Sequence, residues 1–217
     1  MRSTVSTLAL FGAIVLSTTV EGGMFLNGSF ESQAQAGPSR VSLSNLDNWT
    51  SSGGFILLER GVNTTSNIAA ADGDQFLSFG HNGASGGLIS QTFDTVIGQE
   101  YSVDFQIATI QGTGLSTIVA SAFDGLNLLG STTSSTPDNS NDWVAGNTLK
   151  FIATSLTSTL QLQNTSGGGF ANLALDDVTV TASNSPVVPE PSTMALFGIA
   201  LAGAGGRVVR RRSTAKS

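Results

Sequence analysis

The 217-residue chain has no cysteine, one histidine and one tyrosine, and charged residues make up only 11% of it. Without cysteine there are no disulfides, no thiolate nucleophile and no Cys-ligated zinc. His81, alone in a glycine-rich stretch, is read as a loop residue rather than a metal ligand or a general acid–base group. Cations are scarcer than the whole-chain charge of −6 suggests. Between Glu21 and Ser185 only Arg40, Arg60 and Lys150 oppose fourteen acidic residues, a net charge near −11, because the arginines of the C-terminal segment mask the acidity of the body. That sign argues against nucleic acid as a partner and makes a cation such as calcium a natural one. Long hydrophobic runs are also missing. The apolar run Met194–Gly206 would span about 20 Å as a helix, against roughly 30 Å of bilayer hydrocarbon, and Gly198, Gly203, Gly205 and Gly206 weaken it further.

What is present is processing signal at both ends. Arg2, the apolar stretch Leu8–Leu16 and the polar turn at Glu21 read as a secretory signal peptide over 1–22, with the cut placed between Val20 and Gly23. A single β-domain is expected over 23–182, a linker over 183–188, a sorting segment over 189–212 and a short polar tail over 213–217. In the sorting segment Pro189 and Pro191 stiffen a polar spacer. The short apolar run follows, and Arg207, Arg210, Arg211 and Arg212 act as a membrane stop that stays cytoplasmic. A short, weak span suits a segment held briefly and then cut.

Pro189-Glu190-Pro191-Ser192-Thr193, the apolar run and the arginine cluster together resemble the PEP-CTERM sorting signal of Gram-negative bacteria. The resemblance implies export, an inner-membrane precursor held by a C-terminal transmembrane helix, and recognition by an exosortase at the motif. Release or attachment at the cell surface follows, typically beside exopolysaccharide and biofilm matrix.

The body carries almost no helix signal. Tyr101, Val103, Phe105 and Ile107 alternate with Ser102, Asp104 and Gln106, the period of a half-buried strand. Leu115–Phe123 reads as a central strand, Asp124-Gly125 as a hairpin turn into Leu126–Ser131, and Phe170–Thr181 as the last strand, with a bulge at Asp176-Asp177 where the inward parity shifts. Earlier strands are expected at 27–31, 55–60, 76–79 and 88–93, and a loop at 131–140. Nine or ten strands make an all-β, two-sheet antiparallel sandwich. The ordered pieces Asn27-Gly28-Ser29-Phe30-Glu31, Leu46-Asp47-Asn48-Trp49, Ala71-Asp72-Gly73-Asp74 and Leu175-Asp176-Asp177-Val178 resemble the galactose-binding-like jelly roll of many carbohydrate-binding modules. The resemblance implies a structural calcium held by Glu31 and Asp176, with Asp177 as substitute, and with carbonyls near Asp72-Gly73 completing the shell.

Other spellings carry less. Gly83-Ala84-Ser85-Gly86-Gly87 matches a nucleophile elbow, but no helix pattern follows it and the one histidine precedes it. Trp49, Trp143 and Tyr101 could stack on sugars, but such residues in a small β domain belong more often to the core. The loops Arg60–Asn67, His81–Ser85 and Gly112–Gly114 are better contact points. The expectation is a non-enzymatic, exported cell-surface or matrix protein that binds polysaccharide or packs in an exopolysaccharide and biofilm matrix. The alternatives are a purely structural surface component, a glycan-active enzyme or an ice-binding protein.

Overall fold

A computed structural model describes residues 24–33, 40–42, 46–54, 56–61, 68–80, 86–111, 115–136, 142–166 and 172–183. Its strands are β1 (Arg40–Ser42), β2 (Thr50–Ser52), β3 (Ile56–Arg60), β4 (Gln75–Phe79), β5 (Leu88–Asp94), β6 (Glu100–Gln111), β7 (Thr117–Asp124), β8 (Asn127–Ser135), β9 (Val144–Ala145), β10 (Leu149–Ile152), β11 (Thr157–Asn164) and β12 (Asn172–Ala182). One sheet has the order β1-β3-β4-β12-β6-β10, with β9 also on β6; the other has the order β2-β5-β11-β7-β8. All pairs are antiparallel. The chain is the all-β two-sheet sandwich its alternation implies, and among the described residues there is no helix. The signal and sorting segments lie outside the described residues.

The core forms where the two inner faces meet. Tyr101, Val103, Phe105 and Ile107 of β6 face Ile89 and Phe93 of β5, Leu160 and Leu162 of β11, and Ile118, Ala120 and Ala122 of β7 within one buried cluster. These are the odd-or-even sets that period-two patterning dictates. Asp124-Gly125 turns β7 into β8, with Gly125 at φ +57°, the left-handed geometry that such hairpin turns require. The register between β12 and β6 shifts between Asp176 and Thr179, and Asp177 adopts φ +50°. The break in inward parity at Asp176-Asp177 is therefore a real bulge.

Two local expectations differ from the structure. Asn27–Glu31 is a turn, not a strand: Asn27 and Phe30 both take positive φ, 53° and 59°. The turn drives Phe30 fully into the core and leaves the Asn27 carbonyl to accept the Trp49 indole N–H at 2.9 Å. Ser131–Ser135, expected in a loop, belongs to β8. A run of Ser and Thr carries no hydrophobic period, yet it pairs along β7 because its outward hydroxyls meet partners there.

Candidate functional site

The first segment of the sandwich closes on its last strand. Val178 N–H donates to the Gly28 carbonyl at 3.0 Å. Glu31 Oε1 accepts the backbone N–H groups of Asp74 at 2.7 Å and Gln75 at 2.6 Å. From the other end of the chain, Asp176 Oδ2 accepts those of Ala71 at 2.8 Å and Asp72 at 3.0 Å, while Oδ1 accepts that of Asp177 at 2.7 Å. Glu31 and Asp176 thus grip one turn, residues 71–75, from opposite sides. Gly73 sits at its apex with φ +69°, and a Cβ there would lie 2.7 Å from the Glu31 carboxyl carbon.

Asp176 is fully buried. Burial pushes its carboxyl up to about 7; the three backbone N–H groups oppose this, and the nearby Asp72 charge adds to it. Asp177 is half-buried and meets Asp176 through its backbone N–H. Among the described residues no three acidic or histidine side chains gather closely enough to hold a metal ion. Any cation at this junction would draw much of its shell from carbonyls.

The aromatic candidates are occupied. Trp49 is buried between Phe25 and Phe30, with ring centroids at 5.6 and 5.8 Å. Trp143 stands edge-on to Phe76 at 5.6 Å, and its indole N–H donates to the Ala69 carbonyl at 2.7 Å. The Tyr101 ring stacks on Phe151 at 5.5 Å while its hydroxyl accepts the Val96 N–H at 2.9 Å. Trp49 and Tyr101 are therefore buried in the core, whereas Trp143 is half-buried. Gly87 runs straight into β5, so a strand stands where a nucleophile elbow needs a helix. His81, Ser85 and most of the three expected contact loops lie outside the described residues, as do Pro189, Glu190, Pro191 and the four stop arginines.

The sheet faces hold what the sequence left unmarked. On the outer face of the seven-stranded sheet Glu59 is buried at 3% exposure and accepts the Ser78 hydroxyl at 2.5 Å. Its Cα partners are Phe76 on β4 and Arg40 on β1, and Leu57 shares its face. The visible signal was a charge directly after the apolar run Ile56–Leu58.

The outer face of the five-stranded sheet is different. Thr50, Ser90, Gln161, Ser121 and Ser131 are successive Cα partners, one straight row across all five strands. Beside it run Ser52, Leu88, Gln163, Val119 and Thr133. Hydroxyls pair across strands at Thr92–Thr159 (2.8 Å), Ser121–Ser131 (2.9 Å) and Thr117–Ser135 (3.1 Å). On a body this acidic, the face between β2 and β8 is uncharged apart from Asp94 at its end.

A two-sheet antiparallel β-sandwich followed by a sorting tail marks an exported surface protein. The chain belongs to the family described as "Protein of unknown function (DUF642)", which matches residues 23–180, and residues 187–212 match the PEP-CTERM protein-sorting motif. No curated protein matches the chain. Among solved structures it is similar to a cyclase from Fischerella sp. TAU in complex with an indole compound. The two share 16% identity over 75% of this chain and 97% of that one, with a TM-score of 0.61. It is also similar to TmCBM61 in complex with β-1,4-galactotriose, at 14% identity over 74% and 99% of the two chains, with a TM-score of 0.53. A third similarity, to an arabinose-bound α-L-arabinofuranosidase, has 12% identity over 77% of this chain and 27% of that one, with a TM-score of 0.53. These likenesses establish the fold. The sorting motif marks the protein as secreted, processed at the membrane by an exosortase and directed to the surface. Mass spectrometry of protein recovered from cells and medium should find a C-terminus near Pro189; Arg212 retained in every fraction would contradict processing.

Proposed function

We propose that this protein is a non-enzymatic polysaccharide-binding component of the cell surface and biofilm matrix, and that its contact surface is the outer face of the five-stranded sheet. The observation that carries the reading is that open, uncharged row of hydroxyl and amide side chains. Neutral sugars offer hydroxyls that exchange donors and acceptors with Ser, Thr and Gln, whereas the carboxylates elsewhere on the body would impose a charge preference. The module-type fold and the surface-directing tail support it. The enzyme alternative lacks a pair of carboxylates facing a cleft among the described residues: Asp176 is buried in backbone N–H groups and Asp72 and Asp74 are exposed.

Calcium suits the junction as a structural ion by charge. Glu31 and Asp176 hold the turn that carries Asp72, and among the described residues the hydrogen bonds to Asp176 come from backbone N–H groups. Glu31 with Asp176, or Asp177 in its place, and carbonyls of the 71–75 turn would hold it. The ion would neutralise buried charge and pin the first segment to the last strand. A glycan array probed with the full chain, with and without chelator, tests the binding. Gln161→Ala with Gln163→Ala should weaken the best hit about tenfold, or ~1.4 kcal/mol, at unchanged melting temperature. Absence of binding under both conditions sinks the proposal.

A further inference from the structure

Six of the nine exposed large apolar side chains among the described residues gather together; Met24, Leu26 and Leu115 are the other three. Val96 and Ile97 (56% and 53% exposed), Leu126 (99%), Leu128 (58%), Ile152 (55%) and Leu156 (52%) all lie on one end. Hydrogen bonds hold their three loops together. Thr95 N–H donates to the Leu156 carbonyl at 2.8 Å and Gly98 N–H to the Ala153 carbonyl at 2.8 Å. The Thr154 hydroxyl donates to Asp124 Oδ2 at 2.7 Å, tying in the β7–β8 hairpin. A groove of about 450 Å³ opens on this end between Leu128, Leu129, Phe151 and Ile152, with Glu100, Lys150 and Thr154 also in its wall. Scattered single apolar residues need no explanation, but a cluster of tips does.

The same end is where the chain leaves for its sorting tail. Ser183, the last described residue, donates its N–H to the Glu100 carbonyl at 2.8 Å and its hydroxyl to Glu100 Oε1 at 3.1 Å, and its own carbonyl accepts the Gln99 side-chain amide. Only residues 184–193 separate this point from the apolar run 194–206. Ten residues reach at most about 35 Å when fully extended. While that run is in the membrane, the apolar end cannot stray far from the bilayer. The opposite end, marked by Leu115 beyond the far end of β6, is removed by the length of a 12-residue strand, about 36 Å.

We infer that the Val96–Ile97, Leu126–Leu128 and Ile152–Leu156 tips form a membrane-contacting end that seats the sandwich on the lipid surface while the precursor is tethered. The occupant is the zwitterionic leaflet itself. Among the described residues the end carries Asp94, Glu100 and Asp124 against Lys150, so anionic headgroups are repelled and the contact is apolar and insensitive to salt. It rests on the sorting tail and is independent of glycan binding. Docked this way, the sandwich has a fixed orientation and presents a fixed approach to the spacer at Pro189.

The cysteine-free chain makes the test direct. Single cysteines introduced as Leu126→Cys, Ile97→Cys and, at the far end, Leu115→Cys carry an environment-sensitive dye in full-length protein reconstituted into phosphatidylethanolamine–phosphatidylcholine vesicles. Dyes at 126 and 97 should shift to the blue and be quenched about twofold by nitroxide-labelled lipid, at low and high salt alike, while the dye at 115 stays unquenched. Leu126→Ser with Leu156→Ser should abolish quenching at 97 with the melting temperature unchanged. Equal signals at 97, 126 and 115 would overturn the inference. So would a blue shift that persists without lipid, which would assign the patch to residues 194–206. Concentration-dependent crosslinking between copies through 126 would assign it to a second copy and overturn it as well.

Discussion

In calcium-free buffer the domain should gain stability as pH falls from 8 to 5, the reverse of the usual behaviour of an acid held by a partner. Asp176 is the cause. Its folded carboxyl titrates near 7, above its ordinary 3.8, because burial disfavours the charged form more than three backbone N–H groups favour it. A group whose folded pKa is raised binds its proton more tightly in the folded state. The folded state is therefore favoured at low pH, and that advantage is lost as pH rises from 3.8 through 7, at about 1.4 kcal/mol per pH unit. Between pH 8 and 5 the gain should be roughly 2–3 kcal/mol, or on the order of 5–10 °C in melting temperature for a domain of this size. Asp176→Asn should flatten the profile. Calcium, where it binds the ionised form, should flatten it from the other side by stabilising the domain at pH 8. Thermal melts across pH with chelator and with calcium provide the readout. A wild-type slope retained in Asp176→Asn would move the effect to the general acidity of the body.

Gly28→Ala should be the most damaging small substitution in the chain, costing about 3–5 kcal/mol or preventing folding. A Cβ at Gly28 would overlap the Val178 carbonyl oxygen and lie 2.9 Å from its carbon. Both are backbone atoms, so no rotamer change relieves the overlap. The first segment would have to lift from β12, breaking the Val178–Gly28 hydrogen bond and loosening Phe30 and the Trp49 indole that depends on the same turn. Gly125→Ala is the matched control. It has φ +57° but nothing within 4 Å of its Cβ, so it should cost about 1 kcal/mol. Chemical denaturation of both variants measures the gap. Near-equal losses would mean that the junction between the first and last segments contributes little.

The parts of the fold that were legible are those where one force acts alone. Period-two burial of Tyr101–Ile107 needs only an inside and an outside. Gly125 marks a hairpin because few other residues adopt its geometry without strain. The bulge at Asp176-Asp177 was legible as a parity error. The Asn27–Glu31 segment misled because its strand-like spelling conceals two left-handed residues, whose strain is offset only by long-range partners, Phe30 in the core and Trp49 on the Asn27 carbonyl. The last part of β8, Ser131–Ser135, was hidden for the opposite reason. Serine and threonine on a water-facing sheet give no hydrophobic signal, and their pairing depends on β7 alongside. The pairing of Glu31 and Asp176 with the 71–75 turn was half legible. The approach of first and last segments could be anticipated, but not that backbone amides would fill both carboxylates.

The position of β12 has a mechanical consequence. The strand that hands the chain to its tail lies inside the seven-stranded sheet, antiparallel to β4 on one side and to β6 on the other, with nine Cα partners along β6 alone. A pull on the tail runs along this strand rather than across it. Its hydrogen bonds are then loaded side by side in shear instead of opening one at a time like a zipper. An edge strand in the same place would peel. A sandwich hung from an inner strand can bear a pull on its tail while keeping its core closed.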